Sequence, residues 1–433
     1  MQKGILLLCL LLMPALAAAQ TEEKEIAAPA GSPFNQTKFV PDIALILDFS
    51  YVHRNLSDEQ YRTSKLPEAT NTLDEDKTHG KDNADLNSHR GFNLNYAELT
   101  FSSVVDPYFN LFANCELTET GFALEEAYFT TRRLPAGFQL KAGKFLSGFG
   151  RINEQHTHYW DFADRPLNYL SFFGISGLNE KGAQLLWLAP MDTYLQFGLE
   201  VLQGENGSSF GSHGYNDVDK TVTVKTAGEP NAYVGFIRNS FDIGNLTVLI
   251  SASGAGGKCR VNSGLDTRGE EGYALHGSTL VGGGSLLLKY QWDSTRSISL
   301  QTEYLYREMD AARYQKDSAD QVAKYDLTRK QSGLYAQLVL KPLKRWRAGV
   351  RYDLMDRNRI QTDDPSAIAP PEGLCRYTGM LEFNPTEFSR LRAQYNYDRS
   401  KYTEDGPGYH LRPNHEVILQ FNLAIGAHGA HAF

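Results

Sequence analysis

The chain has 433 residues, with 43 Lys and Arg against 51 Asp and Glu and a formal net charge of −8. Its mild acidity and lack of Lys/Arg clusters exclude a nucleic-acid partner, and four cysteines are too few for a disulfide scaffold. Mean hydropathy is −0.40, and past the first segment no apolar run reaches the roughly 18 residues a transmembrane helix needs.

Lys3 is followed by the apolar run Ile5 to Leu12 and by Ala17-Ala18-Ala19. This basic, apolar and small-residue order predicts a secretory signal peptide over residues 1–19, cleaved before Gln20. The apolar run is too short for a spanning helix, and Cys9 lacks the small-residue context of a lipoprotein site. The mature cysteines are Cys115, Cys259 and Cys375, without metal-ligand spacing. Cys115 and Cys375 fall in strand patterns as small apolar residues, and Cys259 in a loop.

Residues 20–40 read as a short flexible lead, and residues 41–433 as one repeating β domain. Ile43, Leu45, Leu47, Phe49 and Tyr51 mark the first alternating strand, and residues 53–88 form a long polar loop. Paired strands are then expected near 91–104 and 108–118, 122–133 and 138–145, and 181–189 and 193–203. Further pairs follow near 231–241 and 245–254, 279–291 and 296–307, 330–340 and 345–355, and 375–384 and 387–399. Within each pair the connection is a tight turn such as Val105-Asp106-Pro107 or Asn384-Pro385-Thr386; the connections between pairs are mostly long. The last strand carries Val417, Leu419, Phe421, Leu423 and Ile425 on one face.

The total is about 16 strands of roughly ten residues, joined alternately by short and long connections, as in outer-membrane barrels. In Lys341 to Met355, Trp346, Ala348, Val350, Tyr352 and Leu354 share one face, and Arg345, Arg347, Arg351 and Asp353 the other. Period two means strand, yet it does not say which face meets the core. The signal peptide, the Tyr and Phe near strand ends, and Phe433 at the terminus choose an all-β transmembrane antiparallel barrel. In lipid its strands must close on themselves, with short periplasmic turns and long external loops.

The apolar, alternating final strand and terminal Phe433 resemble the outer-membrane assembly signal read by the barrel assembly machinery. The stretch Glu125 to Gly150, EEAYFTTRRLPAGFQLKAGKFLSGFG, resembles the core motif of the phosphate-selective porin O and P family through Lys141, Gly143, Lys144, Phe145, Phe149 and Gly150. That resemblance implies a sixteen-stranded, trimeric channel whose third long loop folds inward, with anion preference in the best-known members. Relatives of this type also include less specific porins and metal-related receptors.

For a pore, the relevant chemistry is electrostatic. Arg345, Arg347, Arg351, Arg376, Arg390 and Arg392 lie on polar faces of neighbouring strands and form a candidate basic ladder. Glu303, Asp353, Glu382 and Asp398 offset it; the competing reading is a weakly selective lumen of paired charges. The aromatic, poorly alternating segment from Arg151 to Glu180 is the expected constriction loop, with Lys144, Arg151 and Arg165 facing the solute and Glu154, Asp161 and Asp164 opposite. His156 and His158 with Asp161, and His428 with His431, are the metal-like clusters. Alternating histidines in an aromatic loop are more often structural, so no metal and no cofactor is assigned.

No G-x-S-x-G, H-E-x-x-H or P-loop is present, so the chain is not read as an enzyme. The expected function is passive diffusion of small hydrophilic solutes, phosphate-like anions foremost, through a channel in a Gram-negative outer membrane. The alternative is an outer-membrane receptor or uptake barrel for a metal ion or other specific ligand. Against an energised receptor, only about twenty residues precede the first strand, too few for a folded plug.

Overall fold

The computed structural model describes residues 41–67, 86–117, 121–269, 271–404 and 408–426. The signal peptide, the lead, the His428 and His431 pair and Phe433 lie outside the described residues.

Sixteen antiparallel strands close into one barrel. In chain order they are β1 (Asp42–Arg54), β2 (Gly91–Val104), β3 (Phe109–Leu117), β4 (Phe122–Thr131), β5 (Phe138–Leu146), β6 (Asn179–Leu188), β7 (Tyr194–Leu202) and β8 (Ala232–Ile243). The second half comprises β9 (Leu246–Ser263), β10 (Gly272–Gln291), β11 (Ser297–Lys316), β12 (Val322–Leu343), β13 (Trp346–Thr362), β14 (Leu374–Thr386), β15 (Ser389–Asp398) and β16 (Asn414–Gly426). Each strand pairs with its chain neighbours, and β1 pairs with β16 from Ala44↔Gly426 to Arg54↔Glu416. Closure leaves no strand edge, as a bilayer requires.

The two faces are sorted the reverse of a soluble protein. In β1 the large apolar residues Ile43, Leu45, Leu47, Phe49 and Tyr51 are exposed, while Asp48, Ser50 and Arg54 are buried alongside Ala44, Ile46 and Val52. In β16, Val417, Leu419, Leu423 and Ile425 are exposed, while Glu416, Gln420 and Asn422 are buried. An apolar exterior around a polar interior is the architecture of an outer-membrane β-barrel. Aromatic pairs ring both rims. Phe138 and Trp187 (6.2 Å between centroids), Tyr290 and Trp292 (5.6 Å) and Trp346 and Phe383 (4.7 Å) lie on the side of the short turns. Phe49 with Phe92 (5.6 Å) and Tyr352 with Tyr377 (5.0 Å) lie on the side of the long loops. Amphipathic rings settle at headgroup depth.

Five strands depart from the expected length. β9 to β13 run for 18, 20, 20, 22 and 17 residues. Twenty residues at about 3.3 Å each, tilted by about 40°, rise roughly 50 Å, twice the height of the apolar belt. The residues between the strands expected near 245–254 and 279–291 are therefore largely paired strand, with Gly256↔Leu280 and Gly257↔Thr279 in register. Cys259 lies in β9, fully buried against Met309, and not in a loop.

Candidate functional site

The site is the lumen and the segment that enters it. Residues 147–178, between β5 and β6, carry a short helix, α1 (Leu167–Phe173), preceded by Pro166. The ends of the segment are clasped together: Asn153 Nδ2 donates to the carbonyls of Ser147 (2.9 Å) and Leu178 (3.1 Å), and Leu178 N donates to Asn153 Oδ1 (2.8 Å). Phe149, Ile152, Trp160, Leu167, Tyr169, Phe172 and Phe173 are all buried in the main apolar cluster of the interior. The long, aromatic, poorly alternating character of this stretch thus reflects a segment packed inside a barrel.

Polar anchors hold it to the wall. Glu303 on β11 accepts from the backbone N–H of Arg151 (2.7 Å) and Ile152 (3.0 Å) and from the hydroxyls of Tyr169 and Tyr335. Glu200 on β7 accepts from Ser147 Oγ (2.5 Å) and Gly148 N (2.8 Å). The next loop also turns inward. Ser209 Oγ donates to the carbonyl of Phe172 (2.5 Å), and Arg307 on β11 donates to the carbonyl of Ser208 (2.8 Å). A bare sixteen-stranded barrel leaves an aqueous channel; here two loops occupy part of its section.

The arginine ladder exists on β13, β14 and β15, and it is largely paired. Arg347 meets Asp161 and Glu382 (3.0 Å), Arg351 meets Asp164 and Asp353 (2.9 Å), and Arg376 meets Asp164 (3.3 Å) and Asp353 (3.2 Å). Arg392 meets Glu382 at 2.7 Å, and Arg390 stands 4.0 Å from the same carboxylate. Five guanidinium groups therefore share four carboxylates, two of them supplied by the inserted segment. Arg392 and Arg390 also donate to the backbone carbonyls of Trp160 (2.8 Å) and His158 (2.9 Å). The ladder is as much the seat of the segment as a wall of the pore.

Several expected placements are corrected. Arg345 is not a lumen residue: it sits exposed in the turn between β12 and β13, where its carbonyl accepts from Asn384 N. Lys144 is not pore-lining either. It pairs in register with Ala127 and Lys181, on the face opposite the buried Phe145 and Glu126. The inward lysine of the motif is Lys141, whose ammonium lies 4.8 Å from the Tyr128 ring centre and 5.2 Å from that of Phe145. Asp161 does not join the histidines; it pairs with Arg347. Glu154 faces Arg238 (2.8 Å) and Arg151 (3.9 Å) in place of a solute.

Arg165 is buried, with its guanidinium 4.7 Å over the Trp160 ring. Its Nε and Nη1, and the Nε and Nη2 of Arg390, have no hydrogen-bond partner among the described residues. Burial pulls the Arg165 guanidinium down to about 10. Asp164 is held below the usual carboxylate range: burial opposes this, but the fields of Arg376 and Arg351 outweigh it.

The histidines lie in a different group. His156 Nε2 is 2.8 Å from Glu126 Oε2, and its Nδ1 faces Glu98 Oε1 at 3.7 Å and Glu125 Oε2 at 3.6 Å. His158 Nδ1 is 3.2 Å from Glu98 Oε2. Burial alone lowers the affinity of His156 for a proton, but the surrounding carboxylates of Glu125, Glu126 and Glu98 raise it well above its ordinary value. Sequence reasoning missed these glutamates. The available signal was the Glu125-Glu126 doublet directly ahead of the glycine motif, and Glu98 on the polar parity of β2.

No protein-family model matches the chain. Its structure aligns with OmpT, an outer membrane protein of Vibrio cholerae, over 89% of this chain and 97% of that one, with a TM-score of 0.50 at 10% identity. It also aligns with the outer membrane channel DcaP of Acinetobacter baumannii over 90% and 98% of the two chains, with a TM-score of 0.49 at 12% identity. In sequence it is 46% identical over 411 residues to an uncharacterized protein of Aquifex aeolicus (strain VF5), covering 95% of this chain and 84% of that protein. The chain belongs to one family with that Aquifex aeolicus protein.

Proposed function

We propose that this protein is a constricted outer-membrane channel for passive diffusion of small hydrophilic solutes, with a preference for anions of the phosphate type. One observation carries this reading. A closed cylinder with an apolar exterior encloses a wall of five guanidinium groups against four carboxylates, with the 147–178 segment strapped across it. Arg165 and Arg390 keep unsatisfied N–H groups among the described residues that a small oxyanion fits. The phosphate-selective porin motif at Lys141 to Gly150 points the same way. Assembly as a homotrimer, insertion by the barrel assembly machinery and export by the signal peptide belong to the same proposal.

Planar-bilayer recording of the purified protein tests it. Discrete conductance steps with an anion-side reversal potential across a KCl gradient are expected. A cation-side potential removes the anion preference, and no steps at all removes the channel. A native mass of one chain in mild detergent removes the trimer.

A further inference from the structure

The group around His156 is organised as a metal centre. Glu98 on β2, Glu125 on β4 and His156 on the inserted segment each offer a ligand atom, all within 4.8 Å of one another. Two donors held about 2.0–2.2 Å from one zinc ion at the tetrahedral angle lie roughly 3.3–3.6 Å apart. His156 Nδ1 lies 3.6 Å from Glu125 Oε2 and 3.7 Å from Glu98 Oε1. Those separations exceed a hydrogen bond and match two ligands of one ion within a few tenths of an ångström.

The outer contacts fit the same assignment. Glu126 takes the Nε2–H of His156 at 2.8 Å and is itself held by Leu146 N at 2.7 Å. In the neutral ring that an ion requires, this leaves the Nδ1 lone pair between Glu98 and Glu125. A carboxylate on the far nitrogen is the usual support of a metal-ligating histidine, fixing its tautomer and raising its basicity. His158, ring-stacked on His156 at 5.6 Å, fixes the second oxygen of Glu98 at 3.2 Å.

Asn114 on β3 supplies an independent sign. Its side chain is fully buried, with Nδ2 3.0 Å from His156 Nδ1 and 2.9 Å from Glu125 Oε2, whereas its Oδ1 has no hydrogen-bond partner among the described residues. A buried acceptor left without a donor is destabilising. Turning the amide over brings that oxygen to the place of Nδ2, beside His156 Nδ1 and Glu125 Oε2, as a fourth ligand.

We infer that Glu98, Glu125, His156 and Asn114 form a binding site for a first-row divalent cation, with Zn²⁺ as its probe, and that the ion ties the inserted segment to the β2–β4 wall. One nitrogen and three oxygen donors suit Zn²⁺ or Mn²⁺ over a soft ion. This goes beyond the channel reading and does not depend on it, because binding is measured without conductance.

The test uses the full-length mature protein, purified without a histidine tag, stripped with a chelator and dialysed against Zn²⁺ or Mn²⁺ alone. Element analysis and competition with a chromophoric chelator then give stoichiometry and affinity. One ion per chain is expected, with a loss of at least tenfold in affinity in both His156→Ala and Glu125→Gln. Glu126→Gln, which removes only the outer support, is expected to weaken binding roughly 10–100-fold. A His428→Ala/His431→Ala variant controls for the tail and should bind as the parent does. Heat-modifiable migration and circular dichroism confirm that each variant is a folded barrel. No bound ion in the parent, undiminished binding in folded His156→Ala and Glu125→Gln, or loss of all binding in the tail variant would each overturn the inference. A protein that binds the ion without conducting leaves the site standing and removes the channel.

Discussion

Arg351 on β13 donates through Nη1 to the backbone carbonyl of Asp164 at 2.9 Å and through Nη2 to its carboxylate. One wall residue thus grips both the side chain and the backbone of the inserted segment. Its own side chain is 1% exposed, so solvent screening does little to weaken the pair. Arg351→Ala is expected to loosen the segment and raise single-channel conductance. Removing one partner of a buried pair costs about 3–5 kcal/mol, and the lower end applies because Arg376 still reaches Asp164 and Asp353. A lower temperature for conversion to the heat-unfolded gel species, with unchanged conductance, would place Arg351 in stability alone.

Two anchors within the segment titrate in opposite directions. Asp164 has a depressed pKa, so its contribution is complete above the ordinary value of 3.8 and is lost as pH falls through the depressed one. His156 has a raised pKa, so in metal-free buffer its contribution is complete below 6.5 and is lost as pH rises through the raised one. Both anchors are therefore in place between about pH 4 and pH 6.5. In the presence of a chelator, conductance should be lowest and proteolysis of the segment slowest in that window. Asp164→Asn should abolish the acid limb and leave the alkaline limb, and His156→Ala the reverse.

Deleting residues 155–170 tests the segment as a whole. It removes Trp160, Phe162, Asp161, Asp164 and Leu167 from the interior while leaving every barrel strand intact. Conductance should rise severalfold with the barrel still heat-modifiable. The deletion also exposes the arginines of β13 to β15, so the current should become more anion-selective at the same time. Unchanged conductance would show that ions pass by another route.

Period two made the barrel legible. In β15 each outward apolar side chain alternates with an inward polar one, β1 and β16 keep the outward apolar face although Ala44, Ile46, Val52, Ile418 and Ala424 point inward, and the turn chemistry of Pro, Asp and Gly marks the short connections. The extra height of β9 to β13 was hidden because the pairing beyond the belt is made by Gly, Ser and Lys, which carry no apolar alternation; Gly256 and Ser278 are of this kind. Lys144 was misplaced by one residue of parity. In KAGKF the buried Phe145 fixes Gly143 and Lys141 as its face-mates, and a one-residue slip inverts every side chain. The pairing of Arg347 with Asp161 was out of reach, since it joins residues 186 apart in sequence through a loop whose path no local pattern encodes.

Two glycines of the stretch from Glu125 to Gly150 have a structural reason that can be tested. Gly143 adopts φ +139°, and a Cβ there would stand 2.1 Å from the carbonyl oxygen of Ala127 and 2.7 Å from Tyr128 Cα. Gly150 adopts φ +69°, and its Cβ would stand 2.0 Å from the Tyr169 hydroxyl and 2.7 Å from Glu303 Oε2. At Gly143 the obstacle is the backbone of the paired strand, so Gly143→Ala should reduce the yield of heat-modifiable barrel. At Gly150 the obstacles are side-chain ends that anchor the segment. Gly150→Ala should therefore fold and conduct more than the parent, because it pushes Tyr169 off Glu303.

Glu382 decides the charge of the ladder. It is fully buried and lies within 4.0 Å of Arg347, Arg392 and Arg390, so one carboxylate answers three guanidinium groups. Glu382→Gln keeps the shape and the hydrogen bond from Asn384, which reaches Oε1 at 3.1 Å, and removes one negative charge. Arg390→Gln removes one positive charge a few ångströms away. The reversal potential should move to the anion side in the first and to the cation side in the second, by similar amounts because each changes a single charge. Screening sets the conditions. The Debye length is about 10 Å at 0.1 M salt and about 3 Å at 1 M, so both shifts should be large in dilute KCl and nearly vanish in molar KCl. Shifts in opposite directions that collapse with salt place the ladder on the ion path; folded variants with the parent's reversal potential in dilute salt would show that the arginines serve only to seat the inserted segment.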